Sequence, residues 1–249
     1  MDGKGAARRW VRTRPLRSMV AVAVMVTLGA GACSDGKFRY VTSAATKTYL
    51  KVPSAYAAFD QPELLDAEAK AAQQSGDPAP SDVDTFIENL VQWRVAYDSD
   101  PVPSLEHITG FNPAPIIDVR VRGLLDSERD RVSTSDLRNL FVPYDNLKRQ
   151  AEEDAQQKPL LSPTNSKDFR AIDETELHLD GGLRGVHLVF EVRDPEKPEQ
   201  FYIFDQTALL DAKTSRVWVL LVRAGEQEYL SNADTLDEVV GSFTIKQKV

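Results

Sequence analysis

The chain has 249 residues, 42% of them hydrophobic and 27% charged, and a formal net charge of -8. That content supports a packed core in one sizeable domain or two small ones and excludes a wholly disordered chain. The acidic balance also argues against nucleic acid, whose phosphates demand a basic surface.

The first eighteen residues carry Lys4, Arg8, Arg9, Arg12, Arg14 and Arg17 against Asp2 alone. From Met19 to Ala32 the chain is uncharged and apolar, MVAVAVMVTLGAGA. A membrane-spanning helix needs about 20 apolar residues, so a basic segment followed by this shorter run reads as a secretory signal. Leu28, Gly29, Ala30, Gly31 and Ala32 lead directly into Cys33, and this junction resembles the bacterial lipobox. The resemblance implies cleavage between Ala32 and Cys33, a diacylglyceryl group on the Cys33 thiol and an N-acyl chain as a further option. Cys33 is the only cysteine of the chain, so no internal disulfide competes for it, and a stray thiol in an oxidising compartment would be a liability. Arg8-Arg9 suggests twin-arginine export, but Arg12 stands where that signal prefers an apolar residue, so the Sec route stays open as well.

Six of the 30 basic and one of the 38 acidic residues precede Cys33, which leaves 24 against 37 and a net charge of -13 afterwards. Such a body has no basic face for an anionic leaflet, so attachment falls to the acyl chains, at about 0.8 kcal/mol per buried methylene.

Residues 33–46 are polar and aperiodic, as in a tether, and the globular domain is expected over 47–249. Lys47 to Val52 alternates and stops at Pro53-Ser54, which predicts a first strand. Gln61 to Lys70 has helix-forming composition, and a polar, turn-rich insertion is expected around 68–82. Val83, Phe86, Ile87, Leu90 and Val91 recur at helical spacing behind a cap at Ser81 or Asp82, and the helix is expected to reach Trp93 or give way to an extended segment from Trp93 to Tyr97. Ile116 to Leu125 alternates charged and apolar residues, predicting a strand with one wet face. A short helix is expected from Ser133–Asp136 onward, with Ser135 as a possible cap and Leu137, Leu140 and Phe141 inward. Residues 145–168, broken by Pro159 and Pro163, are expected to form an irregular connection.

The C-terminal third carries the clearest pattern. Phe169–Leu179, Leu183–Arg193, Gln200–Leu210 and Arg216–Arg223 each alternate or run apolar, and Asp180-Gly181-Gly182 supplies a turn, which together predict an antiparallel meander. A helix follows over Ser231 to Val240, capped near Asn232 or Asp234, and a short extended piece, Ser242 to Lys246, closes the chain. Three features resemble the PsbP-like family, which recurs in exported actinobacterial lipoproteins of the LpqN type. They are the first strand Tyr49-Leu50-Lys51-Val52-Pro53-Ser54, the late meander, and the helix ending Val239-Val240-Gly241-Ser242-Phe243. The resemblance covers mainly that strand and roughly the last eighty residues. It implies an α+β fold, a central antiparallel sheet with helices packed on both faces as an α/β/α sandwich, and a binding or assembly role without catalytic residues.

Candidate chemistry is sparse. His178 and His187 are placed to approach each other across the glycine turn, with Glu176 as a third metal ligand, but ordinary strand positions explain them better. His107 stands alone. Asp126-Ser127-Glu128-Arg129-Asp130 has acidic oxygens at alternate positions but lacks the glycine and terminal glutamate of a calcium loop, and reads as a charged turn. Trp93, Tyr97, Trp218 and Tyr229 are candidates to line a lipid or glycan groove, although Trp218 is expected in the sheet. No nucleophile elbow or phosphate loop occurs in the sequence. The expectation is therefore a lipid-anchored, extracytoplasmic binding module of the cell envelope, facing a protein, lipid or glycan, with no cofactor, metal or catalytic residue assigned. An envelope hydrolase with a dispersed carboxylate site is the alternative, and it requires two acids within about 10 Å in one cleft. No pattern specifies an oligomeric state.

Overall fold

The computed structural model describes residues 36–75, 90–157 and 168–246. The described residues belong to one compact unit. The signal segment, Cys33 and the helix expected to start at Ser81 or Asp82 lie outside the described residues.

Seven strands build the main sheet: β3 (Ala57–Asp60), β4 (Val91–Asp98), β5 (Ile116–Gly123), β6 (Phe169–Leu179), β7 (Leu183–Arg193), β8 (Phe201–Leu210) and β9 (Arg216–Gly225). Their order is β3-β4-β5-β9-β8-β7-β6, antiparallel throughout. The expected meander is β6 to β9. Leu179 pairs with Leu183 across the Asp180–Gly182 turn, where Gly181 and Gly182 adopt φ of 76° and 75°, backbone that favours glycine. Gly185 in β7 meets another constraint, since a Cβ there would run into the Ala208 carbonyl of β8.

Helices cover both faces, as an α+β sandwich requires. On the first face, α1 (Gln61–Ser75) and α2 (Leu105–Thr109) set Leu64 and Ile108 against Ala96 and Ile116. Asp60 and Glu63 open α1 by exchanging hydrogen bonds with each other's backbone N–H, at 2.9 and 3.3 Å. After the single-turn α3 (Asp126–Arg129) come α4 (Thr134–Arg138) and α5 (Tyr144–Gln157). Their Leu137, Tyr144 and Ala151 pack over Val186, Leu188, Phe190 and Phe204 on the same face. On the second face, α6 (Glu226–Ser231) and α7 (Ala233–Ser242) contribute Tyr229, Leu236 and Val239. These meet Ile117, Val119, Leu220 and Val222 of the sheet, and Leu50 and Val52 of a second, smaller sheet.

That second sheet corrects the expected tether. It consists of β1 (Phe38–Ser43), β2 (Thr48–Pro53) and β10 (Thr244–Ile245), in the order β1-β2-β10. Residues 38–43 are strand because each finds a partner along β2, from Phe38 opposite Pro53 to Ser43 opposite Thr48, and Phe38 is buried. The closing piece of the chain also pairs with β2, Thr244 opposite Tyr49.

Four further expectations change. Residues 68–75 continue α1, and the part of the insertion beyond 75 lies outside the described residues. Residues 145–157 are helical, since Tyr144, with its ring edge-on to Phe169 and Phe190, and Ala151 anchor α5 to the sheet; 158–167 are likewise outside. The cap of α4 is Ser133, whose Oγ accepts from the Asp136 N–H while Asp136 accepts from the Ser133 N–H. Val91 to Asp98 is strand throughout, which excludes a helix reaching Trp93 and agrees with the extended alternative for Trp93 to Tyr97, because β5 pairs along this segment and β3 along Val95 to Asp98.

Candidate functional site

Alternate residues of β4, β5, β8 and β9 point to the first face, and there Arg94, Asp118, Arg120 and Arg223 place charge beside the apolar cluster. Asp118 of β5 is 6% exposed, contrary to the expected wet face. It accepts from Arg94 Nη2 at 3.0 Å and from Arg120 Nη2 at 3.2 Å. Glu68 of α1 closes the group, 2.7 Å from Arg94 Nη1 and 3.4 Å from Arg120 Nη2. Burial alone would raise the Asp118 carboxyl, but Arg120 and Arg94 outweigh it and hold it below the ordinary range. Burial pulls Arg94 down, and its two acids reverse the effect and raise it. Along β5, Asp118 is thus buried and ion-paired, whereas Arg120 and Arg122 are paired yet keep partial contact with water.

Arg223 of β9 shares this face and is 8% exposed, but no carboxylate among the described residues pairs with it. Both of its hydrogen bonds leave Nη2, to the carbonyls of His107 at 2.8 Å and Ile108 at 3.4 Å, while Nε is buried without an acceptor. Burial lowers its pKa in spite of the pull of Asp118. Beside it on β8, Tyr202 is 1% exposed and its hydroxyl has no partner. Burial and the charge of Asp194 raise that hydroxyl's pKa, against the influence of Arg223. Phe111 lies on top, its ring centroid 4.9 Å from Tyr202 and 5.8 Å from the Arg223 guanidinium, yet the residue is 43% exposed. The segment after it is pinned across the sheet end, where the Gly225 N–H donates to the Pro113 carbonyl at 2.9 Å. Arg120 Nε and Gln206 Oε1 are also buried and unpartnered on this face, and Gln206 Nε2 donates to the Leu137 carbonyl.

The residues singled out in the sequence are distributed differently. His178 lies opposite Arg184 and His187 opposite Thr175, so the turn does not bring the two histidines together. His178, Glu176 and Arg184 line a cleft of about 240 Å³ beside α4. His187 Nε2 is 2.8 Å from Asp205 Oδ1, Tyr229 donates to Asp205 Oδ2 at 2.9 Å, and Asp173 stands 3.8 Å from Nδ1. His107 Nδ1 bonds the fully buried Asp98 at 2.8 Å. Among the described residues, no three histidine, cysteine or acidic side chains gather as metal ligands. Glu128 pairs with Arg122 at 3.0 Å, which makes the charged segment 126–130 part of an ion pair rather than a cation loop. Tyr97, Trp218 and Tyr229 are buried and Trp93 is half-buried, so these aromatics do not form an open groove. Trp218 Nε1 donates to the Thr46 carbonyl at 3.1 Å. Glu191 and Glu226 share Arg170 Nη2 at 2.8 and 3.9 Å, and burial raises Glu191. No described helix is long and apolar enough to cross a membrane.

Sequence reasoning missed Arg223, Tyr202 and Phe111 as a group. The available signal was a single arginine in the apolar run Val217-Trp218-Val219-Leu220-Leu221-Val222-Arg223-Ala224, where a charge is costly to bury.

No family model matches the chain, and no curated protein matches it. Among solved structures it is similar to the cyanobacterial PsbP protein CyanoP of Synechocystis sp. PCC 6803, at 11% identity and a TM-score of 0.38, over 88% of this chain and 98% of that one. It is also similar to LpqN of Mycobacterium tuberculosis, described as involved in cell envelope biogenesis, at 13% identity and a TM-score of 0.41, over 80% of this chain and 83% of that one. The fold assignment rests on the strand order and the helical layers themselves.

Proposed function

We propose that the chain is a lipid-anchored binding module of the bacterial cell envelope, held at the extracytoplasmic face of the membrane by acyl chains on Cys33. The basic-to-apolar leader, the lipobox resemblance and the absence of any other cysteine support the anchor. The observation that carries the binding role is the buried, acid-free guanidinium of Arg223. The buried Arg94 on the same face holds two acids, whereas Arg223 has no carboxylate partner among the described residues. An uncompensated buried charge costs stability, and a ligand of opposite charge would recover part of that cost.

The anchor is tested by fractionating cells that express the full chain or its Cys33→Ser variant. The full chain is expected with membranes and the variant in the soluble fraction, and a variant that still partitions with membranes overturns the lipoprotein assignment. Binding is tested by extracting the full chain from membranes in an uncharged detergent and recording native mass spectra. A reproducible adduct of an envelope protein, lipid or glycan is expected, whereas a chain recovered bare in repeated extractions overturns the binding role.

A further inference from the structure

Burying an arginine without an acid is costly, and in this fold the cost recurs at several atoms close together. Arg223 Nε and the Tyr202 hydroxyl are both fully enclosed and both without a partner, on adjacent strands of one face. Two hydrogen bonds to carbonyls of α2 satisfy Nη2 only. A purely structural tie to α2 leaves the Nε hydrogen and the tyrosine hydroxyl unexplained.

The cover over them is the exposed ring of Phe111, which lies tilted against Tyr202 and 6.5 Å from Phe204. It belongs to the connection 110–115 between α2 and β5, and it makes no part of the sheet. Its ring covers Tyr202 and the Arg223 guanidinium on this side, with Phe204 beside them.

We propose that Arg223 and Tyr202 form an oxyanion site beneath Phe111, taking the carboxylate or phosphate group of a small organic anion whose apolar part replaces the Phe111 ring. The proposal rests on the binding role given above and assigns it a ligand class. Arg223 supplies a charge-assisted donor at Nε, Tyr202 supplies a hydroxyl donor, and the aromatic wall keeps both dry, which strengthens each bond. The charged groups around the site are Arg94, Arg120, Asp118 and Glu68, which sum to zero, with His107 and Asp194 at its margin. Arg223 supplies the positive charge beside the Tyr202 hydroxyl, set against the buried Asp194 and the buried Asp98 that His107 engages. The net charge of -13 after Cys33 works against an anionic membrane surface, so a free anion is the favoured source over a lipid headgroup.

The test follows the Arg223 Nε–H resonance of the full chain in uncharged detergent at constant ionic strength. The titrants are inorganic phosphate, hexanoate, and vesicles of phosphatidylglycerol, each against chloride. A saturable shift with phosphate or hexanoate supports the proposal and a free anion as source. A saturable shift with the vesicles alone supports the site and assigns the lipid headgroup as source. Binding is then compared among variants by thermal shift. Arg223→Lys should weaken it about tenfold or more and Tyr202→Phe about five- to tenfold, in line with loss of a charge-assisted and a neutral hydrogen bond. Phe111→Ala should tighten it several-fold by raising the open fraction. Absence of a saturable shift in both the native chain and Phe111→Ala overturns the proposal, as does binding that Arg223→Lys retains in full. A chain that leaves the membrane with an adduct but shows no such titration keeps the binding role and loses the oxyanion site, and a chain recovered bare that titrates with phosphate does the reverse.

Discussion

Arg94 and Arg223 leave the same face of the sheet, and their surroundings treat a buried guanidinium in opposite ways: one is held by Asp118 and Glu68, the other by carbonyls alone. On the second face, the half-buried His187 is bonded to Asp205 and flanked by Asp173, with Asp237 adding to the field. Burial alone would lower its pKa, but these three carboxylates raise it above the ordinary value of 6.5. A histidine raised on folding contributes stability that is complete below its unfolded pKa and is lost as pH rises through the folded one. Neutral His187 can still donate from Nε2 to Asp205, so what is lost is the charge assistance, worth about 1 kcal/mol. Urea unfolding at mildly acidic and mildly alkaline pH should therefore show a lower midpoint on the alkaline side, and His187→Gln should flatten that difference. An unchanged pH dependence in the variant would assign the effect elsewhere. None of these three environments was legible in the sequence, because their partners lie far apart: Glu68 with Arg94 and Arg120, Asp205 with His187 and Tyr229.

Among the elements, those with strict alternation and glycine punctuation matched the expectation most closely, and β6 and β7 have the expected bounds. Elements held mainly by contacts with distant strands did not. The α5 helix has only a thin apolar stripe of Tyr144, Leu147 and Ala151 in a polar sequence, and the edge strand β1 reads as polar until β2 is placed beside it. The cap of α4 shows the same limit at one residue. Ser133 and Ser135 are both plausible caps by type, but Ser135 turns its hydroxyl to Asp145 at 2.5 Å while Ser133 accepts from the Asp136 N–H. Ser133→Ala should cost about 1 kcal/mol, the usual value for removing a helix N-cap, and it also breaks the reciprocal bond from Asp136. The measurement is the urea midpoint with the unfolding slope unchanged. Ser133→Asn keeps a capping oxygen and should restore most of the loss; a Ser133→Ala variant as stable as the native chain would mean that the capping box adds nothing.

For the molecule as a whole, the question is whether the two sheets unfold together. Leu236 and Val239 of α7 are fully buried between them, touching the cluster that holds Leu50 and Val52 from the small sheet and Leu220 and Val222 from the large one. Ser242, at the end of α7, accepts from the Lys51 N–H of β2 at 2.8 Å, and Trp218 of β9 donates to the Thr46 carbonyl just before β2. The small sheet has three short strands, marginal on their own, and its cover among the described residues is α7 together with the face of the large sheet that Phe38 and Ile245 reach. It should therefore not persist once α7 detaches. Leu236→Ala removes a wholly buried side chain and should cost about 2–5 kcal/mol, according to how far the site collapses. Trp218 sits at the seam, so in a background with Trp10 and Trp93 replaced by phenylalanine its fluorescence reports the contact between sheets, while far-ultraviolet circular dichroism follows the large sheet. If α7 joins both into one cooperative unit, the two signals fall together at a lower denaturant concentration in the variant, as they do in the native chain. A fluorescence change that precedes the dichroism change would instead make the small sheet a separately melting unit and overturn this account of how the N-terminal strands are held.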